Sequence, residues 1–302
     1  WRCFCVMFAI MNEYAPLQQV PYSPYFTGNC LHFSEGNSMS ELAPRQMGAV
    51  NWLGLWTLYA KEVRRFLNVH LQTIGAPVVT SLLFLAVFLL ALGRAVETVN
   101  GIAFATFLAP GLVMMTMAQN AFANSSSSLT IAKVQGNIVD VLMPPLSPGE
   151  MVAGFAFGAV TRGVMVGAVT AIVMAFFVDI RIHNIWAILY FGISASLMLA
   201  LLGIAGGVWA EKFDHIAVVT NFVVTPLSFL SGTFYSADSL PEAGQILVHF
   251  NPFFYMIDGF RYGFTGISDG TIMTGVVVLA AVNALLWLLC YRMIKSGYKL
   301  KA

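Results

Sequence analysis

The chain of 302 residues is 58% hydrophobic and 10% charged, with a mean hydropathy of +0.78, whereas soluble domains carry roughly 25% charged residues. This is a composition solvated by lipid. A net charge of +1 supplies no basic field for nucleic acid, and Cys3, Cys5, Cys30 and Cys290 are too scattered for a disulfide framework or a zinc site.

Residues 1–38 mix polar and apolar positions, with Pro16, Pro21, Pro24, Gly28 and Gly36 breaking any period. The apolar run 4–10 is short and poorly flanked for a signal peptide, and Met39 reads as a natural start. The expectation is a poorly structured extension over 1–50, followed by a transmembrane domain over 51–302. From 51 to 69, Trp52, Leu55, Trp56, Tyr59, Val63, Phe66 and Leu67 recur at helical spacing, while Lys61, Glu62, Arg64 and Arg65 cluster on the other side. The paired Trp and the Arg pair suit a helix lying in the headgroup region; an ordinary soluble amphipathic helix is the plainer alternative.

Length and polar breaks then predict six crossings, at about 71–92, 102–123, 152–178, 185–210, 216–235 and 272–293. With the N-terminus inside, the inner segments hold Arg45, Lys61, Arg64, Arg65, Lys133, Lys212, Arg292, Lys295, Lys299 and Lys301, and the outer loops only Arg94, Arg181 and Arg261. The positive-inside rule thus predicts both termini in the cytoplasm. None of these spans contains Asp or Glu, which argues against a proton-coupled carrier. Arg162 is the charge away from the end of a span; it either lines the route of an anionic substrate, or snorkels to the inner interface, or pairs with an acid such as Glu150. Gln119, Asn120, Asn124 and Ser125 form a polar row whose exposure to a dimer seam favours transport and whose burial favours a scaffold.

In the connection 125–150, Ile138, Val141 and Leu142 share one helical face, Lys133, Gln135 and Asp140 can meet water or a partner, and Pro144 with Pro145 stops the helix. So short a helix needs the membrane or another subunit to hold it, unless the segment is merely a tight connector. Residues 240–262 are too hydrophobic for a solvated loop, yet Pro241, Gly244, His249, Asn251, Pro252, Asp258 and Gly259 interrupt them before a full crossing. The expectation is a segment that dips into the bilayer and returns, lining the outer mouth of a pathway. Ser231, Gly232, Arg261 and Tyr262 are the gating candidates there, with hairpin packing as their plainer role.

Four stretches in order, FLAPGLVMM at 107–115, DVLMPPLSP at 140–148, PLSFLSGTFYS at 226–236 and NPFFYMIDGFRY at 251–262, resemble the permease subunit of an ABC-2 type transporter. The resemblance implies an all-α membrane fold of six transmembrane helices, with an N-terminal interfacial amphipathic helix and a re-entrant helical hairpin before the last span. It implies an exporter of an amphipathic or lipid-linked substrate in the inner (cytoplasmic) membrane, a second permease copy as homodimer partner, and two copies of an ABC ATPase carrying ATP and Mg. On this sequence the ATPase-coupling helix falls at about 133–142, with Lys133, Gln135, Gly136, Asp140 and Pro144; the turn with Glu211, Lys212 and Asp214 is a second inner contact or simply a solvated turn. Asn120, Arg162, Ser231, Gly232, Arg261 and Tyr262 would line the translocation path or its outer gate. A Walker A loop needs Gly directly before its Lys, and none of the six lysines follows Gly, so ATP hydrolysis is expected on the partner and no cofactor in this chain. His32, His70, His183, His215 and His249 show no ligand spacing. The alternative is a membrane scaffold or sensor that anchors an ATPase without transport.

Overall fold

The structure is a computed structural model that describes residues 50–93, 98–99, 101–237 and 240–300. The expected N-terminal extension lies outside the described residues, as does Met39. Among the described residues the chain is a helical bundle. Helix α1 (Trp52–Leu67) leads through a π-turn (Leu71–Gly75) into α2 (Ala76–Leu92); the two-residue strands β1 (Thr98–Val99) and β2 (Ile102–Ala103) pair antiparallel, Val99 opposite Ile102. Then come α3 (Phe104–Val134), α4 (Ile138–Leu142), α5 (Pro148–Met174) and α6 (Ile185–Trp209). Helix α7 (Phe213–Val219) runs through a second π-turn (Thr220–Val224) into α8 (Thr225–Phe229), and α9 (Glu242–Phe250), α10 (Pro252–Thr265) and α11 (Ile272–Ser296) complete the order.

Helix α3 is the axis of the bundle and packs most extensively on α6 and then on α5. Glycines make the close approach possible: an added Cβ at Gly203 or Gly207 of α6 would fall within 2.7 Å of Phe122 O or 2.9 Å of Leu129 Cβ on α3. Small residues at i and i+4 let backbones meet where lipid offers no hydrophobic drive between helices. Gly154 and Gly158 of α5 do the same for α1, against Leu58 and Glu62. Helix α6 is more than half buried along its apolar length, against 17% for the span containing α2 and 11% for α11, which places those two at the rim of the bundle.

Four of the six expected crossings are helices long and apolar enough to span a membrane: Leu71–Ala91, Pro148–Met174, Ile185–Trp209 and Ile272–Ser296. The other two differ from expectation. The second expected span starts two residues late and continues as α3 for 31 residues, because the Asn and Ser positions beyond 123 find partners on neighbouring helices and need not leave the bundle. The fifth is the shorter apolar helix Phe213–Phe229, ending before Gly232 adopts φ +71. Segment 240–262 is two helices hinged at Asn251, whose side chain caps α10 through Phe253 N at 3.0 Å while Pro252 fixes the first helical φ.

Candidate functional site

A ladder of polar side chains runs up α3 on the side facing α1 and α5. It begins at Ser128, whose Oγ donates to Glu62 Oε1 at 2.7 Å. Glu62 Oε2 takes Arg65 Nη2 at 3.1 Å, and the same nitrogen donates to Asn124 O at 2.7 Å and to Asn124 Oδ1 at 3.0 Å. One turn further, Asn120 Oδ1 accepts from Arg162 Nη2 at 3.1 Å. The sequence reading set Glu62 among the solvated charges of α1; the structure corrects this, since Leu58, Glu62 and Phe66 form the buried stripe at spacing i, i+4, i+8 while Trp52, Leu53 and Trp56 are exposed. Arg162 meets Asn120 and not Glu150, whose carboxylate is spent on Asn51 N and Ser147 N, both at 2.7 Å.

The polar row of α3 splits. Asn124 and Ser125 are fully buried within the subunit, Ser125 Oγ donating to Ala200 O at 2.8 Å. Gln119 and Asn120 instead line two crevices, one of about 400 Å³ against α2 with Gln72, Thr80, Ser81 and Thr116, the other of about 370 Å³ against α7 and α8 with Thr220 and Thr225. Each crevice is flanked by one of the π-turns. Both turns precede a proline, Pro77 and Pro226: proline supplies no N–H and its ring collides with the carbonyl four residues back, so the preceding turn widens, and Ala76 N and Thr225 N bond Leu71 O and Thr220 O instead.

At the opposite end of α3 from Phe104, the expected coupling helix is shorter than its sequence range. Gly136 takes φ +76 and ends α3, so only Ile138–Leu142 forms α4, and Lys133 stays on α3. Ile138 and Val141 are buried, whereas Val139, Asp140, Leu142 and Met143 are exposed, which moves Leu142 off the expected inner face. Gln135 and Pro144 are exposed beside them. The Lys133 ammonium turns away from this surface to cap α6, donating to Val208 O at 2.7 Å and to Ala210 O at 2.5 Å. Glu211 pairs with Lys299 at 2.8 Å, and Lys212 and Asp214 are exposed at the start of α7. The Lys299 ammonium holds the Glu211 carboxyl below the usual carboxylate range, and Glu211 raises Lys299 in return.

At the Phe104 end, Arg261 is buried, its guanidinium 3.8 Å from the centroid of Phe107 and donating to Gly232 O. Ser231 accepts from Asn251 Nδ2 at 3.1 Å. Ser231, Gly232 and Arg261 therefore converge, while Tyr262 lies apart, edge-on to His183 at 5.6 Å. Asp258 on α10 ties down the loop before α11, accepting from Asp269 N at 2.8 Å and Ser268 Oγ at 2.9 Å.

A family model described as ABC-2 type transporter matches residues 54–265, from α1 through α10. The chain belongs to the ABC-2 type transporter family. Inner membrane transport permease YadH of Escherichia coli strain K12 is 37% identical over 251 residues, covering 83% of this chain and 98% of that protein. Nodulation protein J of Rhizobium leguminosarum bv. viciae is 27% identical over 244 residues, covering 78% and 91%, and Nodulation protein J of Neorhizobium galegae is 24% identical over 243 residues, covering 78% and 90%. With its apolar spans, this ABC-2 chain is a membrane-embedded transport permease.

Besides Glu150, two acids buried among the described residues, Glu62 and Asp258, fall outside the expected spans. Glu62 enters the bundle from α1 and Asp258 from α10, so a search confined to the six crossings passes over both. The signal for Glu62 was present, because it stands midway between Leu58 and Phe66 on one stripe. Asn124, Arg65 and Asn120 become a unit only when α1 and α5 are brought beside α3.

Proposed function

We propose that this permease is the transmembrane half of an exporter that moves an amphipathic or lipid-linked substrate across the inner membrane, powered by ATP and Mg on a separate ABC ATPase present in two copies. On this reading α3 and the broken α7–α8 helix are the remaining crossings, α9 and α10 form the re-entrant hairpin, both termini are cytoplasmic, and a second permease copy completes the passage. The observation that carries the reading is the pair of crevices meeting at Gln119 and Asn120: polar side chains on an otherwise apolar surface, with room for a ligand on each side. Such a wet strip at bundle depth is costly without a polar occupant. The exposed Val139, Asp140, Leu142 and Met143 supply an apolar knob with one charge on which the ATPase would push.

The scaffold reading draws on the burial of Asn124 and Ser125. Transport separates the two. Permease co-expressed with a partner ABC ATPase and reconstituted into proteoliposomes should show ATP-dependent movement of a fluorescent lipid-linked probe, whereas a scaffold should bind the ATPase and move nothing. Asp140→Arg should abolish ATPase copurification with membrane insertion intact. It is a cleaner probe than a bulky residue at Gly136, where φ +76 alone strains any side chain.

A further inference from the structure

The two crevices that meet at Gln119 and Asn120 have uncharged walls: among the described residues, no Asp, Glu, Lys or Arg lines either one. Arg162 reaches Asn120 but lines neither. Hydroxyls of the walls are spent within their own helices, Thr80 on Ala76 O, Thr116 on Leu112 O and Thr220 on Ile216 O, and the Asn120 amide is spent on Thr116 O and Arg162. Three polar side chains of the walls have no hydrogen bond among the described residues: Gln72 in the first crevice, Thr225 in the second, and Gln119, which lines both. Each of these groups can donate and accept.

The π-turns add acceptors. Ala76 N is spent on Leu71 O and Pro77 has no N–H, so Gln72 O finds no main-chain donor four or five residues on; Thr225 N, spent on Thr220 O, and Pro226 leave Asn221 O in the same position. An occupant must therefore bring donors, which an anion lacks. An ion of either sign would also enter without a counter-charge in the wall, and a charge at bundle depth is costly when unpaired. Room is present: volumes of about 400 and 370 Å³ fall in the range of ligand pockets, about 300–1,000 Å³.

We propose that these crevices take an uncharged, hydroxyl-bearing headgroup, the sugar or polyol end of a neutral amphipathic molecule, with Gln119 as the contact common to both. Neighbouring hydroxyls donate and accept, which matches amides that do the same and carbonyls that only accept. Met115 and Ile216 give the walls an apolar part beside the polar one. That the headgroup belongs to the cargo rests on the transport reading; the binding does not.

The test uses the full chain in phosphatidylcholine nanodiscs with three lipids of equal chain length, a monoglucosyl diacylglycerol, a phosphatidic acid and a trimethylammonium diacyl lipid, read by native mass spectrometry. The glucosyl lipid should bind saturably, and the two charged lipids should not. Gln119→Leu should weaken that binding about fivefold, the loss of one neutral hydrogen bond, and Gln72→Leu combined with it should weaken it further. Gln119→Glu, close in shape to the native residue, carries the test if the Leu variants fail to fold: it should lower glucosyl-lipid binding and admit the cationic lipid. Equal binding of the three lipids, a preference of the wild type for either charged one, or glucosyl-lipid binding unchanged in these variants would overturn the proposal and leave water as the occupant. Movement of the glucosyl lipid with ATP and the partner ATPase is scored separately. Gln119-dependent binding without movement would count against the transport reading alone, and movement indifferent to Gln119 would count against the subsite alone.

Discussion

Glu62 shows how one side chain can be read correctly for helix formation and wrongly for environment. It has the spacing of a helical residue and neighbours that are charged, so the local pattern assigns it to the wet face. Packing reverses this: Gly158 on α5 leaves no Cβ, and Glu62 Cβ fills that space while its carboxylate reaches Ser128 and Arg65. Removing one partner of a buried ion pair costs about 3–5 kcal/mol; Arg65 is partly exposed and retains Asn124, so Glu62→Ala should fall near the lower end. The expected result is a lowered melting temperature in detergent, largely restored in Glu62→Gln, which keeps an acceptor for Arg65; equal loss in both variants would show that charge and not hydrogen bonding holds the contact. Arg162 was legible as an unusual charge, but its partner was not. Asn120 lies 42 positions away in sequence, and nothing local links them.

At the scale of elements, apolar length located four spans and the Pro144–Pro145 pair located the end of α4, because both signals act within a few residues. What remained hidden needed neighbours. The full length of α3 depends on partners for Asn124 and Ser125 on α1 and α6, and the shortness of α4 depends on the left-handed turn at Gly136. The expected helix lying flat at the surface is amphipathic as predicted, yet its buried stripe runs along the first turns of α5, Leu58 against Gly154 and Glu62 against Gly158. Gly158→Ala would bring a Cβ to 2.6 Å from Glu62 Cβ, and overpacking of this kind costs about 1–3 kcal/mol. Melting of the purified variant should show that loss, while Gly75→Ala, with nothing within 4 Å of the added atom, should leave the transition near wild type.

At the scale of the molecule, one end of the bundle is tied by ions. The lowered Glu211 and raised Lys299 fix the sign of its pH response: the Glu211 contribution is present above the ordinary carboxylate value and fades as pH falls through the lowered one, and the Lys299 contribution is present below the ordinary lysine value and fades as pH rises through the raised one. The tail after α11 should therefore stay docked across neutral pH and loosen in acid; a spin label at Tyr298 should gain mobility there, and Glu211→Gln should show that mobility already at pH 7. The Lys133 contact has a mechanical meaning. At 1.5 Å rise per residue the 31-residue α3 is about 46 Å long, well beyond a hydrocarbon layer of about 30 Å, and its Lys133 end is riveted to the last carbonyls of α6. A force applied at α4 would meet a doubled beam instead of a single rod, so the stroke of a motor docked there would arrive at the far end as tilt of two members together, with the glycine seam between them as the joint that does not slip.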